Sequence, residues 1–597
     1  MQWDLRELYS SPEDKQLQRD IHEAHSLARK VNKEYASRIH CLEPKEFFFL
    51  LKTLESIEER CQKILSYAYL TFATQTGEPA ALQLWHSCQE TVDMIREDLR
   101  FFVIEWSHCQ SEHVKRMLSE DIVRGYRNYL HFHNKMSAHY LPLSEEVILS
   151  RTEMSREKSW KNLYDTLIGK HIPDPEGLSL AALLHQLFHP ERLQRKQASD
   201  AIFSFLTTEI HVHSHILNSL VQNKKGIDHL RGHSHWLEAQ NMADNINDGL
   251  VEDLVTAVTS RYDIVQDYYH FKGELLGLKD FSDSDRYAPL PSPFFLNFSW
   301  SKAQDLILES WESVAPNLKE IASLFFKYPW IHASSTSGKM PGAFAHPTIP
   351  AHHPYIFLHF KGTFQDTLTL AHEIGHGMHQ YLSRDQGIFQ AQPATPLAEI
   401  ASIFSEILLF RCLEDKVQSD HELLILSCLQ LEQAILTIFR QISLHCFEDL
   451  IHSHVRNKGP LDSSEINALW MSAQRDLYGP SLILQETYSS WWALVPHFFH
   501  LPGYVHTYAL SWLLVLTLVH RSDHMGSAFM PLYYQLLQAG GAAEPNRLLK
   551  PFSIDLRNSE FIEEGISTLD TLLSRTLYLA KKLGYTSDTK RSQTEAP

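Results

Sequence analysis

Between Asp366 and Ser383 the chain reads DTLTLAHEIGHGMHQYLS, and the five residues His372-Glu373-Ile374-Gly375-His376 have types and spacing that could do chemistry together. On a helix, His372 and His376 fall one turn apart on one face, so both imidazoles can grip a single ion. Zinc favours nitrogen and oxygen donors in a tetrahedron, and a catalytic site keeps one of the four positions for water. Two histidines therefore need one further protein ligand. Glu373, beside the first histidine, can face the water as a general base. A chain with 36 histidines can also produce this spacing by accident, with the rings capping or packing at a surface.

Two neighbouring features narrow the choice. Gly375 and Gly377 stand inside a helical pattern, where each costs about 1 kcal/mol relative to alanine. That penalty fits a close approach by another backbone or a substrate, and tight helix packing is the ordinary alternative. Next, Thr395-Pro396-Leu397-Ala398-Glu399 looks like a helix start, with Thr395 as the cap and Pro396 in the first turn. Glu399 then lies one turn in and 23 residues after His376, room enough for a loop and a packed neighbouring helix. Its carboxylate is the expected third ligand. Glu406, on the same helix face, and Asp366 could each orient a histidine ligand from behind, or be solvated charges.

Other clusters are weaker. His211 and His215, in His211-Val212-His213-Ser214-His215, repeat the one-turn spacing, and His233 and His235 follow. No carboxylate stands where a general base would, so these read as adventitious surface histidines. The loop Gly338 to Phe344 lacks a Walker-type Gly-Lys-Ser/Thr and does not lead directly into a helix, so a contact to peptide backbone is the better reading. Tyr504 and Tyr508 stand at helical spacing in an apolar stretch, where tyrosines are more often core than catalytic.

The elements that must position these residues are mostly helical. Apolar residues recur at helical spacing at Leu50, Leu54, Ile57, Cys61, Ile64, Leu65 and Ala68, and again from Leu423 to Leu450. Segments rich in Pro, Gly and Ser, at His171 to Gly177, Phe281 to Pro293 and Ser334 to Pro354, are candidate boundaries or functional loops. Tyr355 to Phe360 is bulky, follows a proline and is expected to be a strand. The expected fold is thus mainly α with a small β-sheet, and a polar tail from Thr586 to Pro597 is expected to be disordered.

Composition bounds the rest. With 597 residues, 44% hydrophobic and 21% charged, the chain reads as an ordinary globular protein of two to four packing units. A formal charge of -18 repels phosphate backbones and anionic lipid head groups, which argues against nucleic acid and membrane partners. The longest apolar run, Ala509 to Val519, has eleven residues and falls short of the roughly 20 that cross a bilayer, so it reads as a buried helix. The start, MQWDLRELYSSPEDKQLQRD, has no basic-then-apolar pattern, and seven scattered cysteines form no Cys-x-x-Cys pair. A cytoplasmic location is the expectation.

Taken together, the motifs resemble the thimet oligopeptidase and oligoendopeptidase F metallopeptidases, oligoendopeptidase F more closely. The resemblance runs through Gly338-Lys339-Met340-Pro341-Gly342-Ala343-Phe344, Pro354-Tyr355-Ile356, Lys361-Gly362-Thr363, Leu370-Ala371-His372-Glu373-Ile374-Gly375-His376 and Leu397-Ala398-Glu399-Ile400-Ala401-Ser402. It returns at Pro496-His497-Phe498-Phe499 and Pro502-Gly503-Tyr504-Val505-His506-Thr507-Tyr508-Ala509. It is dense from Ser334 to Glu406 and from Trp491 to Trp512, fainter from Arg151 to the end, and slight in the first 110 residues.

What the resemblance implies is a helical body in two lobes around a deep channel, with one Zn2+ per chain on His372, His376 and Glu399. It implies that Glu373 activates the water and that Tyr504, Tyr508 and His497 serve the scissile carbonyl, with His500 a rival for His497. Substrates would be short unstructured peptides. The implied division is an N-terminal helical region at 1–110, an oligoendopeptidase F-like N-terminal domain at 111–200, a zincin-type catalytic domain at 201–585 and the tail at 586–597. The chain departs from the family where Gly503 replaces an aromatic residue, His506 a tyrosine and Ser511 a glycine. These departures open a second reading, a peptide-binding protein on a peptidase scaffold with impaired catalysis.

Overall fold

Long helices form where apolar residues recur every three or four positions. In the computed structural model, which describes all residues except 170–178, 291–296, 337 and 586–597, helix accounts for 73% of the described residues. The boundary expected at His171 to Gly177 and the tail from Thr586 lie outside the described residues. The chain divides into two compact units. One comprises Met1–Ile148, Leu296–Leu413 and Val519–Asp555, and the other Leu149–Phe295, Glu414–Leu518 and Leu556–Pro597.

In the first unit, helices Lys15–Tyr35, Pro44–Thr74 and Pro79–Leu99 pack on one another, the latter two starting on a proline. Leu50, Leu54, Ile57, Cys61, Ile64 and Ala68 are buried as their spacing predicts, and Leu65 is half-buried. These helices share a core with Tyr355 of a three-stranded sheet. The sheet has strands β1 (Ile331–His332), β2 (Phe344–His346) and β3 (Tyr355–Phe357) in the order β1-β3-β2. β1 runs parallel to β3, and β2 runs antiparallel to it with Ala345 opposite Ile356.

The strand expected over Tyr355 to Phe360 is shorter, ending at Phe357, and β2 emerges from a segment read as irregular. Its Gly and Pro neighbours hide a strand of only three residues.

The motif helix, Phe364–Ser383, lies on this sheet and on helix Pro316–Lys327. Gly377 makes that possible, because a β-carbon there would stand 2.7 Å from the Phe325 ring and 3.2 Å from the Ile356 side chain.

The Gly338 to Phe344 loop is tied down from inside. Lys339 is buried, and its ammonium donates to the carbonyls of His332 at 3.1 Å, Ser334 at 3.0 Å and Leu358. It also sits 4.2 Å from the centre of the Phe357 ring. Burial pulls this ammonium down to about 8. The lysine thus binds the ends of β1 and β3 rather than a ligand, while Met340 N–H donates to Ala73 O at 2.8 Å.

In the second unit one helix runs from Asp420 to Lys458 with a π-turn at Ile435–Phe439, and it packs on helices Ser463–Tyr478 and Glu560–Lys582. By length and composition it could cross a bilayer, which the longest apolar run alone did not reveal. More than half of its apolar window is buried in the fold, and it carries buried His445, Glu448 and His452, as a core helix does. Ala509 to Val519 is buried within helix His506–Met525.

Replacing Lys339 with methionine should leave three carbonyls without their donor and lower stability by about 2–4 kcal/mol. A urea midpoint equal to that of the parent chain would show that water replaces the ammonium at no cost.

Candidate metal centre and tyrosine segment

The motif helix begins on a capping box. Asp366 N–H donates to Thr363 Oγ1 at 3.1 Å, and Asp366 Oδ2 accepts from Thr363 N–H at 3.0 Å and Lys361 N–H at 2.8 Å. Asp366 is therefore engaged in starting the helix and does not stand behind a histidine.

Further along the helix, the His372 and His376 rings lie 4.8 Å apart between centres and nearly perpendicular. Glu399 Oε2 is 3.4 Å from His372 Nε2 and 3.1 Å from His376 Nε2. A tetrahedral ion with bonds of about 2.0–2.1 Å needs donors about 3.3 Å apart, so these atoms fit one ion.

Glu399 gets there by a route the sequence did not predict. Thr395 caps nothing, since the one-turn helix Thr395–Ala398 is preceded by Ala394 and has no side-chain cap. The helix breaks at Glu399 and resumes as Ile400–Glu414. Pro396 sits in the short turn, and Glu399 occupies the corner, where Ser402 Oγ donates to its Oε2 at 2.9 Å. Sequence reasoning gave Ser402 no role, although it lies three residues on within the same block.

What lets this corner approach is Gly375. A β-carbon there would lie 2.4 Å from Ala401 O and 2.6 Å from Ser402 Cα, so the two backbones touch directly behind Glu399. Of the two readings of the glycines, close approach by another backbone holds for Gly375, and packing against side chains holds for Gly377.

Glu406 stands behind His372, whose Nδ1–H donates to its Oε1 at 2.5 Å. This fixes the tautomer and turns Nε2 towards Glu399. Burial opposes a charge on His372, but the Glu406 hydrogen bond and the charges of Glu406, Glu399 and Glu373 outweigh it and raise the imidazole to about 10. Burial would also raise Glu399, yet His376 and His372 hold it well below the usual carboxylate range. Glu373 is buried, its pKa is raised chiefly by that burial, and its Oε2 has no hydrogen-bond partner among the described residues.

Peptidase family M3 matches residues 186–568. The chain belongs to this family. It is 23% identical to an oligoendopeptidase F homolog of Borreliella burgdorferi, covering 86% of this chain and 87% of that one. Against oligopeptidase PepF of Bacillus subtilis it is 21% identical, over 89% and 80%. The crystal structure of oligoendopeptidase F from Enterococcus faecium has 18% identity and a TM-score of 0.74, covering 95% of this chain and 99% of that one. The M3 fold thus extends into the first 110 residues, where motifs are scarce.

The tyrosine segment of this M3 chain lies in the second unit. His497 belongs to the short helix His497–His500, Tyr504 to the following turn and Tyr508 to the helix His506–Met525, so the two tyrosines do not share a helix. The three rings nonetheless meet. His497 Nε2 is 3.2 Å from Tyr508 OH, and ring centres are 6.4 Å apart for His497 and Tyr504 and 5.3 Å apart for the tyrosines. His500 turns elsewhere, with Nε2 2.9 Å from Asp165 Oδ1 and its ring edge-on to Tyr164. Burial lowers the pKa of His497, which favours the neutral ring.

The departures also have positions. Gly503 adopts φ +81°, and a β-carbon there would lie 2.8 Å from Leu237 Cδ1 and 3.3 Å from the Trp236 ring. His506 and Ser511 are fully buried. Of the other histidines, His211 and His215 are exposed as expected, but His213 is buried, edge-on to Tyr164.

Gly375→Ala should separate the two backbones at Glu399, cost about 1–3 kcal/mol in stability and weaken zinc at least tenfold. Gly377→Ala, which meets side chains instead, should cost stability with little change in zinc affinity. Chelator competition checks both, and a wild-type affinity for Gly375→Ala would dissociate the contact from the metal centre.

Proposed function

We propose that the chain is a zinc-dependent endopeptidase that hydrolyses internal bonds of short, unstructured oligopeptides. The observation that carries this reading is the convergence of one ligand atom each from His372, His376 and Glu399 within 4.8 Å of one another, with Glu406 behind His372 and Glu373 buried beside it. Those three residues would hold the ion. When bound, it supplies a Lewis acid for the peptide carbonyl and a water of lowered pKa.

The chain's own groups do the rest. Glu373 takes the proton of the attacking water and returns it to the departing amine, a task suited to a carboxylate made more basic by burial. Glu406 keeps a proton on His372 Nδ1, so that Nε2 presents its lone pair. His497, Tyr504 and Tyr508 offer neutral donors to a carbonyl oxygen, which they would bind more strongly as it gains negative charge.

Membership of family M3 and the oligopeptidase names of the relatives support a peptide substrate. All seven cysteines are free thiols, which suits a reducing compartment, and we place the enzyme in the cytoplasm.

Glu373→Gln should lower kcat on a ten-residue peptide at least 1,000-fold, on the order of losing a general base, with zinc content unchanged by mass spectrometry. Turnover persisting in that variant would remove Glu373 from its role. Cleavage of an intact folded protein as fast as the peptide would overturn the substrate class.

A further inference from the structure

Beneath the tyrosine segment lies a group of buried polar side chains to which the proposed reaction assigns no part. His445, Glu448 and His452 stand at successive turns of helix Arg440–Lys458, and all three are buried. Trp236 stacks on His452 with centres 4.3 Å apart and planes 7° from parallel, and the His506 ring comes within 5.2 Å of His445. Among the described residues, Glu448 Oε2, His445 Nδ1, His452 Nδ1 and both nitrogens of His506 have no hydrogen-bond partner. Among the described residues these donors do not converge closely enough to hold a metal ion.

One contact ties this group to the segment above it. Leu501-Pro502-Gly503-Tyr504 is a type II turn: Tyr504 N–H donates to Leu501 O at 3.2 Å, Pro502 is at the second position and Gly503 takes φ +81° at the third. Such a turn leaves the amide of its third residue unpaired, and Gly503 is buried, so that amide needs an acceptor. Glu448 supplies it, Oε1 accepting Gly503 N–H at 2.9 Å. The turn joins the helix bearing His497 to the helix bearing Tyr508 and carries Tyr504 at its end.

We propose that Glu448 is a positioning residue for Tyr504, holding the turn through the Gly503 amide and so setting the spacing of the His497, Tyr504 and Tyr508 rings. The inference rests on the proposed role of Tyr504, but its geometry can be tested alone. Burial pushes this carboxyl up to about 8, so near neutrality it is largely protonated and glutamine mimics its shape and charge.

The test compares two variants of the full chain loaded with zinc, each also prepared with 3-fluorotyrosine in place of Tyr504. Glu448→Gln keeps the acceptor and removes the acid. Glu448→Asp keeps the acid and withdraws the acceptor by one methylene. Positioning predicts that Gln preserves kcat and the fluorine resonance of residue 504. Asp should lower kcat about tenfold, the worth of one buried hydrogen bond, leave KM and zinc content unchanged, and shift or broaden that resonance.

Wild-type kcat and an unmoved resonance in Glu448→Asp would overturn the proposal, as would a Gln variant as impaired as Asp. If the parent chain cleaves no peptide, the hydrolytic reading fails, and the fluorine spectra still decide whether Glu448 places Tyr504.

Discussion

A β-carbon at position 375 would stand 2.4 Å from the carbonyl oxygen of Ala401, and the absence of that one atom governs the whole candidate metal centre. Two helices usually pack with axes 8–10 Å apart because side chains hold them off. Here the motif helix meets the backbone at Ala401 and Ser402 directly. Glu399, two residues before Ala401 and at the break between two helical segments, is thereby brought to 3.1 and 3.4 Å from the two histidine nitrogens. Gly377, two residues on and facing the opposite side, lets the same helix settle on β3 and Phe325. Held on both sides, the helix gains a rigidity that offsets what two interior glycines cost it.

Electrostatics completes what packing begins. Glu373, Glu399 and Glu406 crowd around two imidazoles in a buried place. Charges so placed repel one another unless a cation joins them. The hydrogen bond to Glu406 and the charges of Glu406, Glu399 and Glu373 raise the His372 imidazole although burial opposes a charge there. The same negative field would favour a divalent ion, while the Glu406 hydrogen bond leaves Nε2 as the atom to face it.

The sequence made some of this legible and hid the rest for identifiable reasons. His372 and His376 could be paired because helical spacing is local. The role of Gly375 could not be decided, since its partner backbone at Ala401 lies outside the helix. Thr395 and Pro396 carried the ordinary signs of a helix start, yet a cap is worth only about 1 kcal/mol, and the break at Glu399 answers to the packing at Gly375 and the hydrogen bond from Ser402 instead. Strand β2 was missed because three residues between glycines and prolines carry no alternation. His497 and His500 stand one turn apart in similar surroundings, and what separates them is Asp165, 335 positions away from His500. Glu448 escaped notice because nothing in the local sequence points to its amide partner, Gly503, which lies 55 positions away.

The tyrosine segment follows a different logic from the metal centre. Its three rings come from three elements: a one-turn helix, a turn and the start of a long helix. No single helix fixes their spacing. Tyr508 is anchored by the buried helix that follows it, and His497 is tied to Tyr508 through 3.2 Å between Nε2 and OH. Tyr504 ends a turn that needs a glycine at φ +81° and an acceptor for that glycine's amide. The space a side chain at 503 would fill is taken by Trp236 and Leu237, so the turn is supported from below by residues more than 250 positions earlier in the chain. Donors for a developing negative charge help only if they need not move to meet it. In the proposed reaction Tyr504 would then rely on this turn, whose glycine, Gly503, is one of the positions where the resemblance to the family breaks down.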